Sequence, residues 1–422
     1  MNYSKPKGTY DVLPAEVGKW HFFEDVVREV ARVYHVHEIR TPIFESSELF
    51  HRSAGETSDV VSKETYEFKD RGGRDMTLRP EGTAGIARSF IENKLYIKTG
   101  LQKMFCMGPM FRYERQQKGR YRQHMQFSVE AFGSDSPMLD VEIISMACLI
   151  LEKLGLDQNV KVKLNSLGSK ASRALYREAL VAHFTPHQES LCSDCKVRLE
   201  KNPLRILDCK RDADSDVMRA APEMIDYLIP EDLAYFEAVK VGLERSGIAY
   251  EYDSNLVRGF DYYTHTIFEV QADIPGFGAQ TTLCGGGRYD GLVEELGGPS
   301  TPGIGFGMGI ERMLLALEAA EIHHSIESKI DLFFLPMGEA AEVMVSEVMR
   351  GLRAAGVACE ADFSDRKLKA RFKLADDALA RYTVVVGDDE VASREVNVKD
   401  AKTGETTVVK VDELVKFMEG CE

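Results

Sequence analysis

The N-terminal part of the chain begins with the apolar pattern of a helix and continues with that of a strand. Trp20, Phe23, Val27 and Val30 recur at steps of three or four residues, which places them on one helical face. The strand-like segment "VHEIRTP" follows and ends at Pro42, because proline interrupts regular pairing. The pattern predicts an amphipathic helix that leads into a strand.

Between residues 64 and 168 the pattern changes to short strands with two helices. "TYEFKD" and "DMTLRP" flank "RGGR" and predict a hairpin, and "EGTAGIARSFIENKL" predicts a helix whose first turn carries Glu81 and Thr83. "KMFCMGPMFRYE" and "RQHMQFSVEAFG" predict two strands joined by a basic loop. "PMLDVEIISMACLILEKLGL" then predicts an amphipathic helix that ends near Gly155, and "NVKVKLNSLG" predicts a strand.

Residues from about 170 to 250 are charged and show helical patterns, and they predict an inserted or connecting helical module. Strand pattern resumes with "NLVRGFDYYTHTIFEV", Asn255 to Val270, whose β-branched and aromatic residues predict one strand. Two glycine-rich segments, "TTLCGGGRYDGLVEELG" and "TPGIGFGMGIERMLLALEAA", close this part of the chain.

A domain boundary is predicted near "HHSIESKID", which divides the chain into residues 1–325 and 330–422. Strand and helix patterns alternate after this boundary, which predicts a small α/β domain with a largely parallel sheet. The segments "REVNVKD" and "TTVVKV" predict a hairpin with a turn at Thr403 and Gly404.

Composition and charge narrow the classes of protein. The 422 residues are 44% hydrophobic, which predicts two or three globular domains rather than disorder. No apolar run approaches the roughly 18 residues of a membrane helix, and the start lacks a secretory signal pattern, so a cytoplasmic protein is predicted. The net charge of -15 argues against a protein that binds nucleic acid over most of its surface. Local basic surfaces remain compatible with it, because salt screens charges beyond about 10 Å.

The cysteines predict no disulfide framework, since the eight of them are scattered along the chain. The one suggestive group is Cys192 and Cys195, with Cys209 and His187 nearby. A zinc site usually takes four ligands as two close pairs, and only one pair is visible. Reduced, structural thiols are therefore favoured over zinc, and no metal ligand is predicted.

The segment 255–270 carries more polar groups than a strand that only fills a core. Arg258, Asp261, Tyr262, Tyr263 and His265 lie within eight consecutive residues. Buried polar groups need hydrogen-bonding partners, so this segment is predicted to hold a polar partner. His265 is interpreted as a structural residue rather than an acid or base.

A second candidate lies in the predicted hairpin around the basic loop. Arg112 precedes the loop, and Gln126 and Glu130 lie four residues apart on the returning strand, hence on one face. Arginine offers planar donors suited to phosphate, and the cations of the loop suit a polyanion. An exposed hairpin with ordinary surface cations remains an alternative.

The alternating glycines of "GIGFGMG" precede Arg312, at the start of a predicted helix. Glycines within a strand indicate close approach by a ligand or another chain. The spacing does not match the dinucleotide fingerprint, because the later acidic residue and the strand–turn–helix context are missing.

Taken together, these segments resemble one known family. "IRTPIFE", "FRYER" with the later Gln and Glu, and "GIGFGMGIERML" resemble motifs 1, 2 and 3 of class II aminoacyl-tRNA synthetases. "TLRPEGTAG", "LVRGFDYYTHTIFE" and "GGGRYDGL" narrow the resemblance to the histidyl-tRNA synthetase family, over nearly the whole chain. The resemblance implies an α+β fold: an antiparallel sheet flanked by helices, with a helical insertion and a C-terminal α/β anticodon-binding domain. It also implies a homodimer formed through motif 1.

The resemblance further implies the activity of a histidine–tRNA ligase. Histidine and ATP would form histidyl-adenylate, and the histidyl group would pass to the 3' end of tRNA(His). Mg²⁺ would accompany ATP, because the triphosphate needs charge neutralisation. The alternatives are a non-catalytic regulatory subunit of ATP phosphoribosyltransferase and a tRNA-binding or amino-acid-sensing module without turnover. The C-terminal domain and the retained arginines argue against the regulatory subunit.

The matching positions imply roles for the cationic residues. Arg258 would lie against the α-phosphate and the reacting carboxylate, and Arg112 would bind the α-phosphate, so both are predicted to be catalytic. Arg312 would stack on adenine. Arg115 and Gln117 are candidates for contacts with the acceptor stem of the tRNA. Candidates for contacts on the anticodon side are Arg366, Lys367 and Lys369.

The histidine pocket is implied to draw on three segments. Its residues would be Glu81, Thr83, Gln126, Glu130, Arg258, Tyr262 and Tyr263. Glu81 and Thr83 would hold the α-ammonium, and the tyrosines would line the imidazole site. Because neighbouring strand residues face opposite ways, both tyrosines reach one pocket only if the backbone near Gly259 bulges. The loop departs from the family's usual pattern at Gln116, and again at His124, where an aromatic residue is common.

Overall fold

The computed structural model describes residues 3–54, 60–209, 211–213, 215–278, 281–322, 330–364 and 366–420. The chain divides into two compact units, Met1–His324 and Ser325–Glu422, and each is considered by itself. Most of the predicted boundary segment "HHSIESKID" lies outside the described residues. Within the described ranges, every helix is too short or too polar to span a bilayer.

The first unit is built on a large, mainly antiparallel sheet. The strands of this unit, in chain order, are β1 (His37–Glu38), β2 (Phe44–Ser46), β3 (Tyr66–Lys69), β4 (Asp75–Leu78), β5 (Gln102–Phe111), β6 (Gln123–Phe132), β7 (Val160–Ser166), β8 (Glu251–Tyr252), β9 (Thr264–Ala272), β10 (Thr282–Arg288) and β11 (Gly303–Gly309). The large sheet has the order β1-β5-β6-β11-β10-β9-β7-β8, with parallel pairs at its two edges. A separate sheet, β2-β4-β3, contains the predicted hairpin, which is confirmed.

Helices pack on this sheet and supply the insertion. They are α1 (Pro14–Val33), α2 (Ser47–Ala54), α3 (Thr83–Glu92), α4 (Pro137–Lys153), α5 (Lys170–Phe184), α6 (Ser193–Lys201), α7 (Asp216–Arg219), α8 (Pro230–Arg245), α9 (Leu292–Glu295) and α10 (Ile310–Ala319). The helical pattern predicted for residues 170–250 is confirmed in α5 to α8.

The main core lies between the sheet and its covering helices. The apolar stripe of α1, which includes Phe23 and Val27, is fully buried against residues such as Phe127 on β6. Each large apolar side chain buried in this way contributes roughly 1.5–3 kcal/mol. Helix α4 begins at Pro137, and the Ser136 hydroxyl accepts the backbone N–H of Met138 at 3.2 Å. Serine before a proline at the first helical position is a strong signal for a helix start.

The prediction of one strand from Asn255 to Val270 is wrong over its first half. Strand β9 begins only at Thr264, and the preceding residues form turns. The backbone there pairs with insertion side chains rather than with a neighbouring strand. Arg205 Nη2 donates to the Gly259 carbonyl at 2.5 Å, and Arg173 Nη1 donates to the Tyr263 carbonyl at 3.0 Å. Tyr262 and Tyr263 lie before β9, so the alternation of side chains between the two faces of a strand does not apply to them.

The second unit is a mixed α/β domain. It comprises β12 (Leu332–Pro336), α11 (Glu339–Ala354), β13 (Cys359–Ala361), α12 (Leu368–Asp377), β14 (Tyr382–Val386), α13 (Asp388–Ser393), β15 (Glu395–Asp400), β16 (Thr406–Lys410) and α14 (Leu414–Glu419). Its sheet order is β13-β12-β14-β15-β16. The first three strands are parallel, and the predicted hairpin adds two antiparallel strands, so "largely parallel" was only partly right.

Candidate active site

A cavity of about 740 Å³ opens beside the centre of the large sheet. The arginines that the sequence singled out, Arg112, Arg258 and Arg312, all line it, although they come from three distant segments. The insertion contributes Arg198 and Arg211 to the same lining, which sequence reasoning missed. The cavity therefore has the charge and size to accept an anionic ligand.

Arg258 is held in place by a carboxylate and by the absence of a neighbouring side chain. Its Nη1 donates to Glu269 on β9, and Glu269 also accepts the hydroxyl of Thr282 at 2.9 Å. A Cβ added at Gly285 on β10 would overlap the guanidinium of Arg258. Burial, the largest single influence, works to lower the pKa of Arg258, but Glu269, Tyr263 and Tyr262 together raise that pKa above its usual value, so the group stays charged.

Arg112 and Arg312 are positioned by backbone carbonyls. Arg112 Nε donates to the Pro80 carbonyl at 2.8 Å. Arg312, in the first turn of α10, donates from Nη1 to the Thr282 carbonyl at 2.7 Å. Burial, reinforced by the nearby Arg120, lowers the pKa of Arg312 to about 10. An anion bound between these guanidinium groups would relieve their mutual repulsion.

His124 lies at the same cavity, on β6. Burial and the adjacent Arg112 lower the pKa of His124 to about 3. Its ring is therefore neutral at neutral pH, and it can cover a flat, neutral ring without adding charge.

A buried acidic pocket joins the cavity at the start of α3. The carboxylate of Glu81 accepts the backbone N–H groups of Thr83 at 2.5 Å and Ala84 at 2.8 Å. Glu81 thus precedes the helix and binds its N-terminus, rather than lying in its first turn as predicted. Burial raises the pKa of Glu81 despite these hydrogen bonds.

Glu130 lies behind this pocket and is only 1% exposed. It accepts the hydroxyl of Thr83 at 2.6 Å and the hydroxyl of Tyr289. Burial raises the pKa of Glu130 well above its usual value. Gln126, four residues earlier on the same face of β6, lines the cavity directly.

Tyr262 and Tyr263 both line the cavity, although they are adjacent in the chain. Their ring centroids lie 4.7 Å apart, and Tyr262 stacks on Phe260 at 5.2 Å. The turns before β9 make this possible, so the bulge that strand parity would have required is not needed.

The strand glycines make room for the protein's own polar side chains. A Cβ at Gly305 would overlap the carboxylate of Glu130, and one at Gly307 would lie 2.8 Å from Gln126 Nε2. The close approach that the glycine pattern predicted is therefore made by side chains of the pocket.

Other candidates lie away from the cavity lining. Arg115 and Gln117 are exposed in the loop between β5 and β6, and His265 packs against the ring of Tyr235, 5.0 Å from centroid to centroid. Arg366, Lys367 and Lys369 are exposed in the second unit. Glu269 was missed because it sits in an apolar strand pattern. A charged residue at an otherwise apolar strand position was the available signal.

An antiparallel sheet that gathers arginines and buried carboxylates from separate segments around one cavity defines a class II aminoacyl-tRNA synthetase. The family model described as histidyl-tRNA synthetase matches residues 8–313, and that of the anticodon binding domain matches residues 331–420. The histidine–tRNA ligase of Bacillus subtilis (strain 168) is 52% identical over 419 residues, with 99% of each chain covered. The chain belongs to the histidyl-tRNA synthetase family.

Solved structures agree with this membership. Apo histidyl-tRNA synthetase of S. aureus matches with a TM-score of 0.85 and 43% identity over 99% of this chain and 100% of that one. An ATP phosphoribosyltransferase regulatory subunit/histidyl-tRNA synthetase from Bacillus halodurans C matches with a TM-score of 0.65 and 21% identity, over 92% of this chain and 99% of that one. At this identity the match shows the fold alone. The predicted family and α+β fold are confirmed, and the regulatory-subunit alternative finds no support.

Proposed function

We propose that this chain is a histidine–tRNA ligase that uses the cavity for both steps of its reaction. The observation that carries the proposal is the convergence of Arg112, Arg258 and Arg312 on one cavity beside a buried acidic pocket. A nucleotide fits the cationic part, and an amino acid with its α-ammonium fits the acidic part.

In the first step a histidine carboxylate oxygen attacks the α-phosphorus of ATP. The bond from that phosphorus to the bridging oxygen breaks, and pyrophosphate leaves. Because both reactants are anionic, Arg258 and Arg112 lower the repulsion and stabilise the charge that develops on the α-phosphate. In the second step a ribose hydroxyl at the 3' end of tRNA(His) attacks the activated carbonyl carbon. The bond from that carbon to the phosphate oxygen breaks, and AMP and the hydroxyl proton leave.

The adenine base would stack on Arg312, with the neutral ring of His124 as a second flat partner. The fixed hydrogen bond from Arg312 to the Thr282 carbonyl holds the guanidinium in one orientation. A preoriented guanidinium loses less side-chain entropy when the base binds.

Histidine would be recognised by its ammonium and by its ring. Burial raises the pKa of both Glu81 and Glu130, and a bound α-ammonium would supply the positive charge that favours their ionised forms. Tyr262, Tyr263 and Gln126 would meet the imidazole nitrogens. A pocket built to bond a polar ring rejects analogues that lack the polar atoms by roughly 10⁴-fold in good cases.

Mg²⁺ would be held mainly by the phosphates of ATP, since it keeps several waters and takes few protein ligands. Two carboxylates of the cavity lining are already paired with arginines, Glu269 with Arg258 and Glu114 with Arg120 at 3.0 Å. The phosphates would therefore supply the main ligands. The metal would neutralise phosphate charge.

The tRNA and a second copy of the chain would complete the enzyme. Arg115 and Gln117 are exposed where an acceptor stem could reach them, and Arg366, Lys367 and Lys369 are exposed in the second unit. Ile43 and Phe44 of motif 1 form an exposed apolar patch with Phe68, which suits a homodimer interface. Because its substrates are found there, the enzyme would work in the cytoplasm.

Histidine-dependent exchange between ATP and pyrophosphate tests the first step. We expect Arg258→Ala to reduce exchange by about 10³-fold or more, since one developing charge loses its partner. Arg28→Ala is the matched control, because Arg28 lies on α1 outside the cavity lining, in a partly buried ion pair with Glu24. Exchange by Arg258→Ala at the wild-type rate would exclude the assigned role, and a wild-type chain without exchange would exclude the ligase.

A further inference from the structure

Four potential metal ligands meet in the helical insertion. The sulfur atoms of Cys192, Cys195 and Cys209 and a carboxylate oxygen of Asp212 all lie within 4.8 Å of one another. Cys195 and Cys209 are buried, and the other two residues are partly buried. No disulfide joins the described cysteines, which are all free thiols.

The spacing of these residues in the chain is that of a zinc site. Cys192 and Cys195 form one pair with two residues between them, and Cys209 and Asp212 form a second pair with the same separation. Structural zinc sites are commonly built from two such pairs. Only one pair is visible from the cysteines, because the fourth ligand is a carboxylate.

The separation of two of the sulfur atoms matches tetrahedral coordination. The sulfur atoms of Cys192 and Cys209 lie 3.7 Å apart. With zinc–sulfur bonds of about 2.3 Å, two thiolates of a tetrahedral site lie about 3.8 Å apart. A disulfide would require these atoms to approach to about 2.05 Å.

A hydrogen bond to the backbone orients the fourth ligand. Asp212 accepts the backbone N–H of Cys192 at 3.1 Å, which holds the carboxylate beside the sulfur atoms.

We propose that Cys192, Cys195, Cys209 and Asp212 bind one Zn²⁺ ion in a closed, structural site. Three sulfur ligands favour a soft metal, and four ligands in tetrahedral arrangement favour zinc. With all four positions filled by protein, the ion has no open position for a substrate.

The site would stabilise a wall of the active-site cavity. Cys209 lines the cavity, and Arg205, which lies between the two ligand pairs, donates to the Gly259 carbonyl at 2.5 Å. Arg205 Nε also lies 3.6 Å from Asp261 Oδ1. By holding its four ligands together, the metal would stabilise the position of Arg205 and thereby the segment that carries Arg258.

Metal content of the purified full-length chain tests the proposal without any activity assay. We expect one equivalent of zinc per chain in preparations made without chelator, and its loss in Cys192→Ser and Cys209→Ser. Cys148→Ser is the matched control, because Cys148 lies on α4 outside the cluster, and it should retain the full equivalent. A wild-type chain without metal that also fails to take up added zinc would overturn the proposal.

Cobalt substitution guards against variants that fail to fold. Metal-free wild-type chain titrated with Co²⁺ should develop thiolate-to-metal charge-transfer bands and the visible bands of tetrahedral cobalt, saturating at one equivalent. Asp212→Asn should weaken Co²⁺ binding while keeping the charge-transfer bands, since the three thiolates remain. Absence of these bands in the wild type would refute the site, as would a mass two hydrogens lower that identifies a Cys192–Cys209 disulfide in the native chain.

Discussion

At the scale of single residues, the site depends as much on missing side chains as on present ones. Arg258 can turn towards the cavity because Gly285 leaves the space that its guanidinium fills. The same relation holds between Gly305 and Glu130. The two strand glycines leave the space that these polar side chains, which come from other parts of the chain, need in order to reach the pocket.

Replacement of Gly285 by alanine should displace Arg258 from its partner Glu269. We expect Gly285→Ala to lower histidine-dependent exchange by about tenfold or more, because even a small misplacement of a charged group costs catalysis. Gly351→Ala is the control, since a Cβ there meets nothing within 4 Å. Unchanged exchange by Gly285→Ala would mean that Arg258 functions in a different position.

His124 gives a prediction for stability at acid pH. Its pKa falls from 6.5 in the unfolded chain to about 3 in the folded one, so the unfolded state binds the proton first as the pH falls. The neutral form thus favours folding above about pH 6.5, and this contribution is lost progressively between about pH 6.5 and pH 3. Because His124 is partly exposed, we expect a loss on the order of 1–2 kcal/mol at about pH 5.

The free energy of unfolding of His124→Phe, measured by denaturant titration at several pH values, checks this expectation. The variant should show a smaller fall in stability between about pH 7 and pH 5 than the wild type. His21→Phe serves as the control, since His21 is exposed on α1, and it should keep the wild-type dependence. Identical slopes for His124→Phe and the wild type would show that His124 does not titrate in this way.

At the scale of elements, regular pairing was predictable and the turns that carry chemistry were not. The β3–β4 hairpin and helices α1 and α4 follow from local pattern. The turns before β9 depend on residues far away in the chain, since Arg173 and Arg205 of the insertion donate hydrogen bonds to their backbone carbonyls. Periodicity has no information about such long-range hydrogen bonds, which is why a strand was predicted there.

The insertion should therefore support substrate binding through Arg205. We expect Arg205→Ala to raise the KM for histidine by about tenfold and to lower kcat less, because the tyrosine pocket loosens while the phosphate side keeps Arg112. Arg219→Ala on α7 is the control, as an exposed arginine of the same insertion. An unchanged KM in Arg205→Ala would show that the segment is held by its other contacts.

At the scale of the whole molecule, the two units have separate hydrophobic cores. The core of the second unit includes Leu332 and Phe334 of β12 together with Val384 of β14. The large sheet and cavity belong to the first unit. The family resemblance predicted one domain with the catalytic cavity and a second, C-terminal domain. Composition alone predicted only two or three domains. The prediction of a boundary between residues 325 and 330 stays a prediction.

Removal of the second unit should separate the two steps of the reaction. We expect a chain that ends at His324 to keep ATP–pyrophosphate exchange within about tenfold of the full chain, because every residue that lines the cavity is retained. Charging of tRNA(His) should fall by about 10²-fold or more, since the contacts to the anticodon side are gone and each phosphate contact contributes to affinity. In the full chain, Lys367→Glu with Lys369→Glu should weaken charging selectively, with Lys399→Glu and Lys410→Glu on β15 and β16 as the control of equal charge. If exchange and charging fell equally in the shortened chain, the second unit would instead be needed to keep the first one folded.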